Sequence, residues 1–256
     1  MGVNSNDGFF RNGIVAGMEN SRLKASVVPE SDLPVAETVG GPRAAAKYTV
    51  EAIGTFFLVM TVGAAVGGHS LLAPLAIGTT LMVMVYAGGH ISGGHYNPAV
   101  TLAALVRRRI GLRDAIAYWV VQLAAGVLAA VVVRTVIDPT KTAATATLTL
   151  SGRTLLAAFV VELLFTFALC YVVLNVATSK DHPDNSFYGL AIGFTVFAGA
   201  AAVGAISGGA FNPAVALGAA VMHMFAWPTL WVYFVAQAIA GAVAGVAFLA
   251  LNPDDK

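Results

Sequence analysis

The tripeptide Asn-Pro-Ala occurs twice, as Asn97-Pro98-Ala99 and Asn212-Pro213-Ala214. Each asparagine carries an amide that both donates and accepts hydrogen bonds. The proline after it suits the first position of a helix, where a missing N–H costs nothing. A Gly-Gly pair precedes each box (Gly93-Gly94 and Gly208-Gly209) and lets the backbone run extended and close to its neighbours. This order predicts a non-helical stretch turning into a short helix at each asparagine, over about 97–107 and 212–223. Helix N-termini carry partial positive charge. Two of them meeting head to head would place a positive maximum at the centre of a cavity. Asn97 and Asn212 would there donate to the oxygen of a neutral polar solute, and cations would be repelled. A single box is more often a plain cap or turn; two related boxes inside apolar sequence point to a site. The chemistry is recognition and passage. The chain has one cysteine, Cys170, and neither a nucleophile–base set nor a metal-ligand cluster, so no catalytic residue, metal or cofactor is expected.

The boxes belong to a duplication. A shift of 115 residues carries Ile91-Ser92-Gly93-Gly94 onto Ile206-Ser207-Gly208-Gly209, and the first box onto the second. A shift of 111 carries Val50-Glu51 and Thr55-Phe56 onto Val161-Glu162 and Thr166-Phe167. The elements that must hold these residues are read from hydropathy. The chain of 256 residues is 58% hydrophobic and 11% charged, with a net charge of +1. Soluble domains run about 45–50% apolar and about 25% charged. A soluble domain, a nucleic-acid partner and a disulfide-stapled domain are therefore excluded, and a polytopic membrane protein remains. Helix-periodic apolar runs near 48–67, 71–89, 114–136, 154–177, 187–205 and 229–251 are each long enough to span a bilayer of about 30 Å. Three spans per copy turn the second copy upside down in the membrane, so an inverted repeat is expected, with its site at the midplane. The fold class is an all-α membrane protein of six transmembrane helices plus two re-entrant half-helices. Residues 1–46 read as a cytoplasmic tail without a signal peptide, with a short amphipathic piece near Phe9–Met18, and 47–252 as the channel domain. Repeat 1 covers about 48–136 and repeat 2 about 154–251. Arg11, Arg22, Lys24, Arg43, Lys47, Arg107, Arg108, Arg109, Arg113, Lys180 and Lys256 fall on the side of the termini. Only Arg134, Lys141 and Arg153 fall opposite, so both termini are placed in the cytoplasm. The Arg107–Arg109 run reads as a topology signal touching anionic headgroups.

Both boxes, both Glu-to-Thr-Phe span openings and the His90-Ile-Ser-Gly-Gly-His95 approach make the chain resemble the aquaporin (major intrinsic protein) family over roughly 48–250. The resemblance implies a homotetramer in the lipid bilayer with one pore per subunit, passing water or small neutral solutes passively. It also implies a selectivity filter, which falls on Ile77, Ala200, Gly209 and Val215. Water channels of the family typically have an aromatic residue, His and Arg among these positions; here the filter is small and aliphatic. Glycerol facilitators usually have Trp, Phe and Arg with a following Asp, where this chain has Val215-Ala216. Val215 is similar to some plant vacuolar-membrane members, which usually carry His where Ile77 stands. Tyr233-Phe234 matches the water-channel members. The expectation is a water-channel scaffold with a widened filter that also passes ammonia, hydrogen peroxide, urea or glycerol while excluding protons and ions. A glycerol-facilitator-type channel is the near alternative. A secondary transporter, which also uses inverted repeats, is the distant one.

Glu51 and Glu162 are the carboxylates well inside spans, read as acceptors organising the re-entrant loops in preference to a proton relay. His95 is expected to line the pore or tie down its loop, and His90 to sit at the cytoplasmic mouth. His182 is read as part of a solvated turn in preference to a pH gate. Gly241 and Gly245 suggest close helix packing, and Cys170 inert packing. Arginine in excess of lysine and the high alanine content favour a bacterial plasma membrane, with a vacuolar membrane as the alternative.

Overall fold

The computed structural model describes residues 42–137 and 147–255. The expected tail up to residue 41 and its amphipathic piece lie outside the described residues. Helix α1 (Pro42–Gly67) starts with its proline in the first turn, followed by an alanine run, so the helix reaches back into the stretch read as tail. Then follow α2 (Ala73–Ser92), the short α3 (Pro98–Val106) and α4 (Leu112–Val132), whose last turn widens into a π-helical Val133–Ile137. The second repeat gives α5 (Gly152–Thr178), α6 (Tyr188–Ser207), the short α7 (Pro213–Val221) and α8 (Leu230–Leu251). Six of these helices are long and apolar enough to cross a membrane, and α3 and α7 are the two half-helices.

Within each repeat the first long helix packs on the last, α1 against α4 and α5 against α8, and the repeats clasp through α2 against α6, α3 against α8 and α4 against α7. Small residues set the closest approaches. A Cβ on Gly78 would stand 2.6 Å from the Gly193 carbonyl oxygen, and one on Gly193 would meet the Gly78 carbonyl in turn. A Cβ on Gly241 would stand 2.5 Å from the Ala99 oxygen, and one on Gly245 2.6 Å from Val106 Cβ, so α8 lies directly on α3. Gly126 does the same for α4 on α7, with Ala214 oxygen 2.9 Å away. The outer surface is apolar: Val120, Leu128, Leu164 and Val246 are each more than half exposed.

At the end of the bundle that carries the C-terminus, Arg107 departs from the headgroup reading. It is turned inward and buried, its guanidinium 4.2 Å above the Phe248 ring. Its Nη2 donates to Asp255 Oδ1 at 2.7 Å. Asp255 also accepts the Lys180 backbone N–H at 2.8 Å, so the C-terminal residues tie the α3–α4 turn to the α5–α6 turn. Arg109 Nη2 donates to the Thr178 carbonyl at 2.7 Å, and Arg108 is left facing outward. A buried guanidinium needs a partner, and the Asp255 side chain supplies one.

Candidate functional site

An extended chain at membrane depth leaves backbone N–H groups that water cannot reach, and each must find an acceptor. Glu51, on α1, supplies acceptors for the first re-entrant loop. Its carboxylate accepts from Ser92 Oγ (2.7 Å), His95 N (2.9 Å), Tyr96 N (2.7 Å) and Gln122 Nε2 (2.9 Å). Glu162, on α5, repeats the pattern with Ser207 Oγ (2.7 Å), Ala210 N (2.9 Å), Phe211 N (2.8 Å) and Gln237 Nε2 (2.9 Å). The tyrosines of α4 and α8 close each loop from behind: Tyr118 donates to the Ser92 carbonyl and Tyr233 to that of Ser207, both at 2.6 Å. Gln122, Gln237 and Tyr118 were not singled out in the sequence. The 115-residue shift, extended into the third and sixth spans, pairs Gln122 with Gln237 and Tyr118 with Tyr233.

Held this way, each loop turns at Gly93 (φ 89°) and Gly208 (φ 87°), both left-handed. Tyr96 and Phe211, just before the asparagines, also take positive φ, 48° and 47°. The asparagine oxygens cap their own half-helices, accepting from Ala99 N at 2.8 Å and Ala214 N at 2.9 Å. The amide nitrogens cross over. Asn97 Nδ2 donates to the Phe211 carbonyl and Asn212 Nδ2 to the Tyr96 carbonyl, each at 2.9 Å. The two half-helices thus meet N-terminus to N-terminus, locked by a reciprocal pair of hydrogen bonds. Each amide has two protons, so one per asparagine is left for the cavity beside it.

That cavity is lined by eight repeat-related pairs: Leu58 and Leu169, Val62 and Val173, Ile77 and Ile192, Leu81 and Val196, Gly94 and Gly209, His95 and Ala210, Asn97 and Asn212, Val100 and Val215. Ile77, Gly209 and Val215 are therefore brought together with both asparagines. Ala200 is not among the residues lining this cavity; its Cα lies 3.3 Å from where a Gly209 Cβ would stand. Pro98, Ala99, Pro213 and Ala214 are buried in the half-helices. His95 lines both this cavity and a wider vestibule at the C-terminal end, beside Arg109, Asp114 and His182. His90 borders a neighbouring recess with His182, Asp184 and Tyr188. Glu51 and Glu162 lie behind the loops, fully buried and away from the cavity.

The family pattern of the major intrinsic proteins matches residues 42–248. "Glycerol uptake facilitator protein-like 6" of Lactiplantibacillus plantarum is 37% identical over 219 residues, spanning 82% of this chain and 99% of that protein. Aquaporin TIP1-1 of Arabidopsis thaliana is 39% identical over 191 residues, 73% of either chain. The solved aquaglyceroporin of Plasmodium falciparum superposes with a TM-score of 0.68 over 80% of this chain and 95% of that one. At 20% identity that last likeness is one of fold.

Proposed function

The chain belongs to the major intrinsic protein family, a passive channel for water and small neutral solutes, and from that premise we propose that its filter is apolar and widened. Ile77, Gly209 and Val215, with Ala200 beside Gly209, form the constriction on the side away from the C-terminal helix end. The observation that carries this reading is the cavity lining, in which no Lys or Arg appears and the polar side chains are Asn97, Asn212 and His95. A solute crossing such a wall sheds water against aliphatic groups and regains hydrogen bonds at the centre. Water, ammonia, hydrogen peroxide, urea and glycerol all suit it. Protons and cations are excluded by the paired helix N-termini and the two asparagine amides. A glycerol-facilitator reading differs only in the ranking of solutes. A transporter reading needs a carboxylate free to couple an ion, and both buried glutamates are fully engaged by loop donors.

The apolar outer faces fit a homotetramer in a bilayer, and the cation-bearing end fits the cytoplasm of a bacterial cell, with a vacuolar membrane as the alternative. Solute-resolved stopped-flow on vesicles holding the protein tests the widened filter. Volume changes are followed first in a sorbitol gradient, then in urea and glycerol gradients. Fast water flux together with urea or glycerol flux is the expected result, and water flux alone sinks the reading.

A further inference from the structure

Seven of the eight pairs that line the cavity match in polarity, and His95 opposite Ala210 is the exception. The imidazole is held from behind. His95 Nδ1 stands 3.0 Å from Thr101 Oγ1, which is also 3.1 Å from Gln122 Nε2 and 3.1 Å from the Asn97 carbonyl oxygen. Glu51 fixes the direction of this chain of contacts. Gln122 turns its nitrogen to the Glu51 carboxylate at 2.9 Å, so its second amide proton points at Thr101. A hydroxyl has one proton to give and two lone pairs. With the ring proton on Nδ1, Gln122 and His95 both donate to Thr101, and the hydroxyl proton goes to an oxygen, the Asn97 carbonyl or, at 3.4 Å, Gln122 Oε1. With the proton on Nε2, the single hydroxyl proton must serve either Nδ1 or one of those oxygens, and one more contact is left without a proton. Buried networks favour the arrangement that satisfies more of their members.

We propose that Glu51, Gln122 and Thr101 are positioning residues that lock His95 as its Nδ1–H tautomer and present bare Nε2 to the solute as an acceptor. Nε2 has no protein partner among the described residues, and the ring is steadied edge-on by Tyr118 at 5.2 Å. A small neutral molecule with both an N–H or O–H donor and an acceptor atom, urea or ammonia for example, donates to His95 and accepts from Asn97 on the same passage. The second repeat carries the complementary signature. Ala216 stands where Thr101 does, and Gln237 Oε1, the counterpart of the Gln122 Oε1 that Thr101 reaches at 3.4 Å, is buried without a partner among the described residues. The solute half of this inference rests on the cavity being the solute path; the tautomer half does not.

Nitrogen-15 NMR of the protein in bilayers, with the His95 signals identified by their loss in His95→Ala, reads the tautomer directly. Wild type is expected to show protonated Nδ1 and unprotonated Nε2. Thr101→Val, which exchanges the hydroxyl for a methyl, is expected to move the proton to Nε2, and Thr101→Ser to keep it on Nδ1. In the same vesicles the urea-to-water permeability ratio falls about five-fold in Thr101→Val, the worth of one ordinary hydrogen bond, and stays put in Thr101→Ser. A wild-type ring protonated on Nε2, or a Thr101→Val ring still protonated on Nδ1, overturns the lock. A switched tautomer with an unchanged ratio overturns its role in selection. A wild type that passes neither urea nor water overturns the pore reading instead and leaves the tautomer result standing.

Discussion

Between the two repeats, the parts that hold the re-entrant loops are copied, and the cavity lining matches in polarity at all pairs but His95 and Ala210. The parts behind that histidine and at the membrane surface diverge. Glutamate, serine, glutamine and tyrosine stand at equivalent places behind both loops, with hydrogen-bond lengths that agree within 0.1 Å. Away from that spine, His95, Thr101, Arg107 and Arg109 of the first repeat face Ala210, Ala216, Met222 and Met224 of the second. All four differences run from polar or charged to apolar. An extended backbone in lipid imposes the same demand on either side of the membrane, so its solution is repeated. The two mouths open on different compartments, and nothing physical obliges them to match.

The largest expected effect tests the copied part. Glu51→Gln and Glu162→Gln each put an amide nitrogen against loop donors, and every buried donor left unpaired costs about 1–3 kcal/mol. Both variants are expected to lose most of their folded protein, to a similar degree, as read by thermal unfolding in detergent. A large loss in one and none in the other would break the equivalence. A smaller effect separates the halves. Gly241→Ala drives a methyl to 2.5 Å from the Ala99 oxygen, whereas Gly126→Ala has 2.9 Å to the Ala214 oxygen. Overpacking of this kind costs about 1–3 kcal/mol, with Gly241→Ala at the upper end, and the same melting measurement ranks the pair.

Next, Ala216→Thr supplies the missing partner of Gln237 Oε1 and is expected to stabilise by about 1 kcal/mol, a gain that Gln237→Met in the same background removes. The smallest effect concerns the C-terminal anchor. The Lys180 backbone N–H first, and the Arg107 guanidinium after it, hold the Asp255 carboxyl below the usual carboxylate range. A depressed folded-state pKa means that the anchor's contribution is complete above the unfolded value and is lost only as pH falls through the folded one. Protease cleavage after α8 is therefore expected to stay slow and flat from neutral pH down to about pH 4 and to quicken below it. Asp255→Asn is expected to be cut faster across the whole range.

How much of this was legible beforehand depends on what each residue answers to. The six spans, the half-helices, the paired asparagines and the loop-organising role of Glu51 and Glu162 follow from apolar length, Pro after Asn, and duplication, all local signals. Gln122 and Tyr118 escaped because a polar residue inside an apolar span has no local signature of its partner; only the 115-residue shift ties it to Gln237 or Tyr233. Arg107 escaped because its partner lies 148 residues away, beyond the last helix. Ala200, placed in the filter by counting back from Asn212, is not among the residues lining the cavity, though its Cα lies 3.3 Å from where a Gly209 Cβ would stand.

The most direct test of an apolar, widened pore is the glycerol-to-water permeability ratio of Val215→Arg against wild type, measured by stopped-flow on vesicles of matched protein content. Arginine at that position narrows the wall opposite Ile77 and adds a fixed cation. The ratio is predicted to fall about ten-fold or more, on the scale of steric discrimination by a pocket, while water flux falls less. An unchanged ratio in a folded, water-conducting variant would contradict the account.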